Sequence, residues 1–257
     1  MSPVTQAAVL VAFPVAASTA GAAAALRFAP GPKVVSGIQH FAAGVVIAAL
    51  VGEVLPDLRH EGQLPAAALG FTLGAAVVLS LAAWGRRLDQ KAEGKPAYGQ
   101  SPAPRAPDTA LAALPVGMLV AVGIDLLIDG LLVGLGATLG ARQGLIITIA
   151  LTLEILFLSL SLAAEFREAG LSEARAVLLC TGLGLLTAVG AITGAAVLAG
   201  AGSATLAAVL AFGAAALLYL AVEELLVEAH EVAETTALAA MFFLGFLIIY
   251  VLAELGG

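Results

Sequence analysis

Charge is scarce in this chain. Charged residues make up 11% of its 257 residues, where soluble globular domains carry about 25%. That shortage excludes a water-soluble globular fold. Cysteine is nearly absent: the single Cys180 excludes an intrachain disulfide and, set in an apolar run, reads as a small core hydrophobe. No basic run and no basic–aromatic interleaving is present, so nothing points to nucleic acid. The opening Met-Ser-Pro-Val-Thr-Gln lacks the basic region of a secretory signal, so the first apolar run is expected to stay as a helix. No nucleophile–base pair or cofactor motif is visible, so the chain is not expected to be an enzyme.

What is abundant is apolar sequence. Hydrophobic residues reach 61% and the mean hydropathy is +1.07. Runs of roughly 20 apolar residues recur, each long enough to cross about 30 Å of hydrocarbon as a helix. The pattern predicts eight spans, at 5–28, 36–56, 65–85, 110–137, 143–165, 173–198, 204–228 and 233–254. The fold class is therefore an all-α membrane protein, a bundle of eight transmembrane helices, with residues 1–257 as one transmembrane domain. Most connections are short and carry turn residues, such as Ala29-Pro-Gly-Pro32 and Gly140-Ala-Arg-Gln-Gly144. The exception is about 86–109, polar and rich in proline and basic residues, which reads as a flexible loop between spans three and four.

The basic residues set an orientation. Arg27, Lys33, Arg86, Arg87, Lys91, Lys95, Arg105, Arg167 and Arg175 fall on one side, and only Arg59 and Arg142 on the other. Nine against two predicts a cytoplasmic long loop and both termini outside. Small residues recur at spacing four in Gly130-Leu-Leu-Val-Gly134, Gly136-Ala-Thr-Leu-Gly140 and Gly190-Ala-Ile-Thr-Gly194, which lets membrane helices pack closely.

Three acids stand inside the apolar spans. Asp125 and Asp129 lie in Asp125-Leu-Leu-Ile-Asp129-Gly130, near the middle of span four, and Glu154 lies near the middle of span five. The i, i+4 spacing puts both aspartates on one helix face. The short connection between the two spans brings Glu154 to similar depth. Intramembrane acids are costly and by default mark an ion path or proton relay. No lysine, arginine or histidine stands at mid-depth to balance them. Either the group binds a cation or at least one carboxyl keeps its proton. Oxygen donors suit a hard divalent ion. Thr148, Thr152 and Thr187 are candidates for additional oxygen ligands. The alternative is a protonated cluster that serves packing alone.

A second acidic group ends span seven: Glu223, Glu224, Glu228 and Glu231, with His230 beside them. Glu224, Glu228 and His230 form a candidate exit site, although the same residues suit a solvated helix end. Glu53, in Gly52-Glu53-Val-Leu-Pro56-Asp57, is a candidate entrance residue or an interfacial carboxylate. His40 and His60 read as isolated interfacial or solvated histidines, and Glu165 and Glu168 as interface charges near Arg167.

Taken in order, these segments resemble the ZIP family of divalent metal transporters, in particular its bacterial zinc- and iron-uptake branch. His40-Phe-Ala-Ala-Gly44 followed by Glu53-Val-Leu-Pro56-Asp57 is similar to the family's second helix. Asp125-Leu-Leu-Ile-Asp129-Gly130 resembles the fourth-helix motif His-Asn-x-Pro-Glu-Gly, and Leu153-Glu154-Ile-Leu-Phe157 the related fifth-helix motif. Glu224-Leu-Leu-Val-Glu228-Ala229 is similar to Glu-Leu-Leu-Pro-Glu-Ala of the seventh. The chain departs from the pattern where Asp125 and Leu153 replace histidines, Leu126 an asparagine and Phe157 an acid. Thr187 stands where a sixth-helix glutamate is frequent.

The resemblance implies a transporter in the inner (plasma) membrane of a bacterium that carries a divalent cation toward the cytoplasm. Its metal site would be Asp125, Asp129 and Glu154. The cargo would be an ion such as manganese, iron or zinc. Oxygen ligands without imidazole favour harder ions, manganese, iron(II) or magnesium, over zinc. The expected partners are the cation and the lipid bilayer, with a homodimer left open. Two other readings stand beside this one: a ZIP-fold sensor or subunit that no longer transports, and a proton-coupled carrier of another solute.

Overall fold

The computed structural model describes residues 1–28, 31–93 and 116–255. Among these, eight helices are long and apolar enough to cross a membrane. They are α1 Pro3–Phe28, α2 Pro32–Glu61, α3 Leu64–Glu93, α4 Val116–Leu139, α5 Ala141–Glu168, α6 Glu173–Leu198, α7 Ser203–Ala229 and α8 Thr236–Leu255. The expected spans are present. The sequence reading and the structure part at the end of α3, which runs eight residues past Gly85, over 86–93. Arg86 to Glu93 are good helix formers with no glycine or proline among them. The expected loop at 86–109 therefore begins inside a helix, and its remainder, like 110–115 of the fourth span, lies outside the described residues.

Local chemistry sets the helix ends. Ser2 caps α1, its hydroxyl accepting from the Thr5 N–H at 3.2 Å, with Pro3 in the first turn. Gly62 closes α2 with φ of 64°, a left-handed position that glycine adopts without a Cβ clash, and α3 starts two residues later.

The helices pack chiefly in four parallel couples, as spans of the same parity must: α1 on α5, α2 on α8, α3 on α7 and α4 on α6. Small residues set how closely they approach. At the α4–α6 crossing a Cβ on Gly130 would run into the Thr187 carbonyl, and one on Gly190 into the Leu127 carbonyl. The same device joins α2 to α8, where Gly44 faces the Phe242 carbonyl and Gly245 the Phe41 carbonyl. The close approach expected at Gly130 is thus made by α6. Gly130→Ala is expected to push α4 off α6 and lower stability by roughly 1–3 kcal/mol, read as a fall in the thermal unfolding midpoint in detergent. An unchanged midpoint would mean that the crossing relaxes freely.

Two helices contain π-helical stretches. In α2 the ladder widens over Leu50–Val54, where the Leu55 N–H reaches back five residues to the Leu50 carbonyl. In α7 it widens over Leu220–Leu225, where the Leu226 N–H reaches the Ala221 carbonyl. Each stretch contains an acid, Glu53 in the first and Glu223 and Glu224 in the second. Single π turns recur at functional positions.

Cys180 is buried, with Sγ 3.8 Å from the Ser159 carbonyl, and its own carbonyl accepts from the Ser18 hydroxyl at 2.6 Å. It serves as a packing residue between α1, α5 and α6.

Candidate metal centre

Asp125, Asp129 and Glu154 come together. Each places a carboxylate oxygen within 4.8 Å of the others, a spacing that one divalent ion can draw in. α4 supplies the two aspartates from one face and α5 supplies Glu154, as the i, i+4 pattern and the short connection at Gly140 require. Asp129 is 2% exposed and Glu154 1% exposed, while Asp125 is half-buried.

The electrostatics of the group are unsatisfied. Among the described residues, Asp129 Oδ2 and both Glu154 carboxyl oxygens are buried without a hydrogen-bond partner. A buried polar atom left unpaired costs about 1–3 kcal/mol, more if charged. A packing cluster would be selected to remove that cost, and a cation site needs open lone pairs. The Thr187 hydroxyl, fully buried on α6 beside the Gly130 crossing, is also unpartnered. Thr148 and Thr152 differ: each hydroxyl donates to the carbonyl four residues back, Gly144 and Thr148, at 2.6 Å.

A cavity of about 290 Å³ adjoins the group. Asp125 and Glu154 border its inner end, and Gln39, Glu165, Glu224 and Glu228 also line it. A second cavity of about 430 Å³ shares Gln39, Ser161, Glu165 and Glu228 with the first and continues to Glu168 and Glu231. The two form a carboxylate-lined passage from mid-helix to the ends of α5 and α7. Gln39 donates to Glu228 at 2.5 Å across it. Toward the other end of the bundle the packing is apolar, with Val46, Leu50, Val54, Leu132, Leu151 and Leu217 buried.

Glu224 and Glu228 line this passage, as their spacing suggests. His230 does not border either cavity. It lies past the last turn of α7, exposed, against His40 and Glu234. Its Nδ1–H donates to the Leu226 carbonyl, and that bond, with the Glu234 carboxylate nearby, raises its pKa above the usual imidazole value. Glu165, read from sequence as an interface charge, turns out to line both cavities. Its sequence signal was its position one helical face along from Glu154 on α5, at eleven residues' separation, which is about three helical turns. His40, read as an isolated interfacial side chain, is buried at 2% exposure. Glu53 sits at the opposite end of the molecule, buried, 3.9 Å from the Arg142 guanidinium of α5. Arg142 also donates to the Ala253 carbonyl on α8, so one side chain joins three helix ends.

Eight apolar helices around a buried carboxylate group define an integral membrane protein. A search of curated proteins returns no match. The model of the ZIP zinc transporter family matches residues 90–253, which include α4 to α7, most of α8 and all three carboxylates. The chain belongs to the ZIP family of metal transporters.

Proposed function

We propose that the chain moves a divalent cation toward the cytoplasm through the site formed by Asp125, Asp129 and Glu154. The observation that carries this reading is the set of buried, unpartnered oxygens on Asp129 and Glu154. No hydrogen bond among the described residues uses them, and a hard cation would. The passage lined by Glu165, Glu224 and Glu228 supports an exit route. The bias of basic residues toward that end of the bundle supports its being cytoplasmic, with both termini outside.

In this arrangement the site is open toward the Glu231 end and closed by apolar packing toward the Glu53 end. It is the release state of an alternating-access cycle, in which helix groups move about a mid-membrane site. Glu53, held against Arg142, is the candidate collecting residue for the opposite state. The ligands are oxygen only, which favours manganese, iron(II) or magnesium over zinc. Release then proceeds through successive weak carboxylate stations, since permeation needs sites that bind enough to admit the ion and little enough to let it leave. Glu224→Gln with Glu228→Gln is expected to slow flux by about tenfold, with equilibrium binding at the central site retained. Loss of binding together with flux would place those residues in the central site instead.

The direct test is flux of manganese, iron(II), zinc, cadmium and magnesium into proteoliposomes, beside an Asp125→Ala/Asp129→Ala variant. Flux that the variant loses supports the reading and ranks the ions. Folded protein with no flux for any ion at several pH values supports the sensor or subunit reading. Transport that follows pH and ignores divalent ions supports a proton-coupled carrier.

A further inference from the structure

A second set of metal-ligating side chains lies outside the passage. His40 on α2, His230 just past α7, and Glu234 before α8 bring one ligand atom each within 4.8 Å of one another. The two imidazole rings face each other with centroids 5.2 Å apart and planes tilted by 53°. Residues 40 and 230 are 190 positions apart in the chain, so the fold alone brings them together.

The hydrogen bonds fix which nitrogens are available. His40 Nδ1 lies 2.8 Å from the Ser36 carbonyl, and His230 Nδ1 meets the Leu226 carbonyl. A carbonyl can only accept, so in both rings Nδ1 carries the hydrogen. In the neutral ring Nε2 then presents a lone pair. This is the arrangement of metal-binding histidines, whose second nitrogen is anchored to a backbone carbonyl or a carboxylate. His230 Nε2 is 3.1 Å from Glu234 Oε1. His40 Nε2 is buried and has no hydrogen-bond partner among the described residues. A satisfied core histidine would not leave that nitrogen empty. The His40 ring is further held by its own turn: Ser36 donates from its hydroxyl to the Ala229 carbonyl at 2.7 Å, which ties the start of α2 to the end of α7.

We propose that His40, His230 and Glu234 form a second divalent-cation site, of imidazole character, at the end of the bundle where the passage opens. Two imidazoles and one carboxylate suit zinc or another borderline ion, with water in the fourth position. Tetrahedral zinc at roughly 2.0–2.2 Å from its ligands needs donor atoms about 3.3–3.6 Å apart. His230 and Glu234 are exposed side chains and can close the remaining distance onto the fixed His40 ring. Because the ligands come from α2 and from the α7–α8 connection, an ion here ties those two elements together. The site is separate from the carboxylate centre and differs from it in chemistry: nitrogen donors against oxygen only. It does not depend on the transport reading, since a protein that moves no ion would still bind zinc here.

The test uses the full-length protein with Asp125→Asn, Asp129→Asn and His60→Gln, so that the central carboxylate pair and the remaining histidine are removed. Zinc is titrated by equilibrium dialysis, and X-ray absorption at the zinc edge reads its ligands. One zinc with imidazole scattering is expected. Adding His230→Gln is expected to weaken binding more than about a hundredfold, beyond the roughly ten- to hundredfold loss typical of an outer-shell partner, and to reduce the imidazole signal. Glu234→Gln, on an exposed residue, is expected to weaken binding with the imidazole signal kept. Zinc bound without imidazole, no zinc bound, or binding indifferent to His230→Gln would each overturn the site. Flux lost by Asp129 variants with no zinc in this assay would overturn the second site and leave the transport reading standing.

Discussion

Asp129→Asn is expected to lower divalent-ion flux in proteoliposomes by at least about a hundredfold, with the protein still folded. The change is nearly isosteric, so the α4–α6 crossing at Gly130 is kept. What is lost is one of three carboxylates in a site where Asp129 Oδ2 and both Glu154 oxygens have no hydrogen-bond partner among the described residues. A hundredfold loss corresponds to about 2.7 kcal/mol, in the range of one charge-assisted contact made away from water. Asp129→Glu is expected to recover part of the flux, because charge returns with a longer reach. The comparison is made on initial rates at equal protein density, with circular dichroism as the control for folding. Wild-type flux in Asp129→Asn would remove that carboxylate from the path.

The second large effect concerns stability and runs in opposite directions with and without metal. Three carboxyl groups held together in an apolar bundle must either repel one another as anions or take up protons, and they leave buried oxygens unpaired among the described residues. Asp125→Asn/Asp129→Asn removes the repulsion and supplies amide N–H donors beside the orphaned oxygens of Glu154. The metal-free variant is therefore expected to unfold at a higher temperature than the metal-free wild type, by an amount equivalent to roughly 1–3 kcal/mol. Manganese should reverse the order. At a hundred times its dissociation constant it stabilises a one-site protein by about 2.7 kcal/mol, and the variant has no site to fill. Thermal unfolding in detergent, with and without manganese and in a His230→Gln background, reads both effects. Equal stabilisation of the two proteins, or a variant less stable than metal-free wild type, would show that the carboxylates serve packing. A site that weakens the empty protein and strengthens the loaded one is the trade expected where function sets the residue.

How far the sequence carries to this arrangement depends on the range of the interaction. The spans are legible because twenty apolar residues have few other uses. Asp125 and Asp129 are legible as a pair because a helix turn is a local rule, and Glu154 joins them because only a short turn at Gly140 separates α4 from α5. The pairing of His40 with His230 is invisible at that level. It depends on α2 lying beside the end of α7, and nothing near either residue encodes the other. Glu165 reads as an interface charge because it sits near Arg167 at a helix end. Its cavity exists only once α2 and α7 are in place. The extension of α3 to Glu93 was open to view in the propensities of 86–93, but the polarity of that stretch outweighed them. The π turns leave no mark in hydrophobic periodicity, since apolar residues surround them on every side.

The widened turn at Leu220–Leu225 has a consequence for how this helix tolerates changes in length. A π turn accommodates an additional residue within an α-helix, and successive α-helical residues are offset by about 100° around the axis. Deleting one residue there, such as Val222, would let α7 close into a regular helix with the segment beyond it in nearly the same rotational register. Glu228, which faces the passage and Gln39 now, would keep that side of the helix. Deletion of one residue at this point is thus absorbed where it occurs, whereas the same deletion a turn earlier, among Ala214 to Leu217, would turn buried residues out of the core by about 100°.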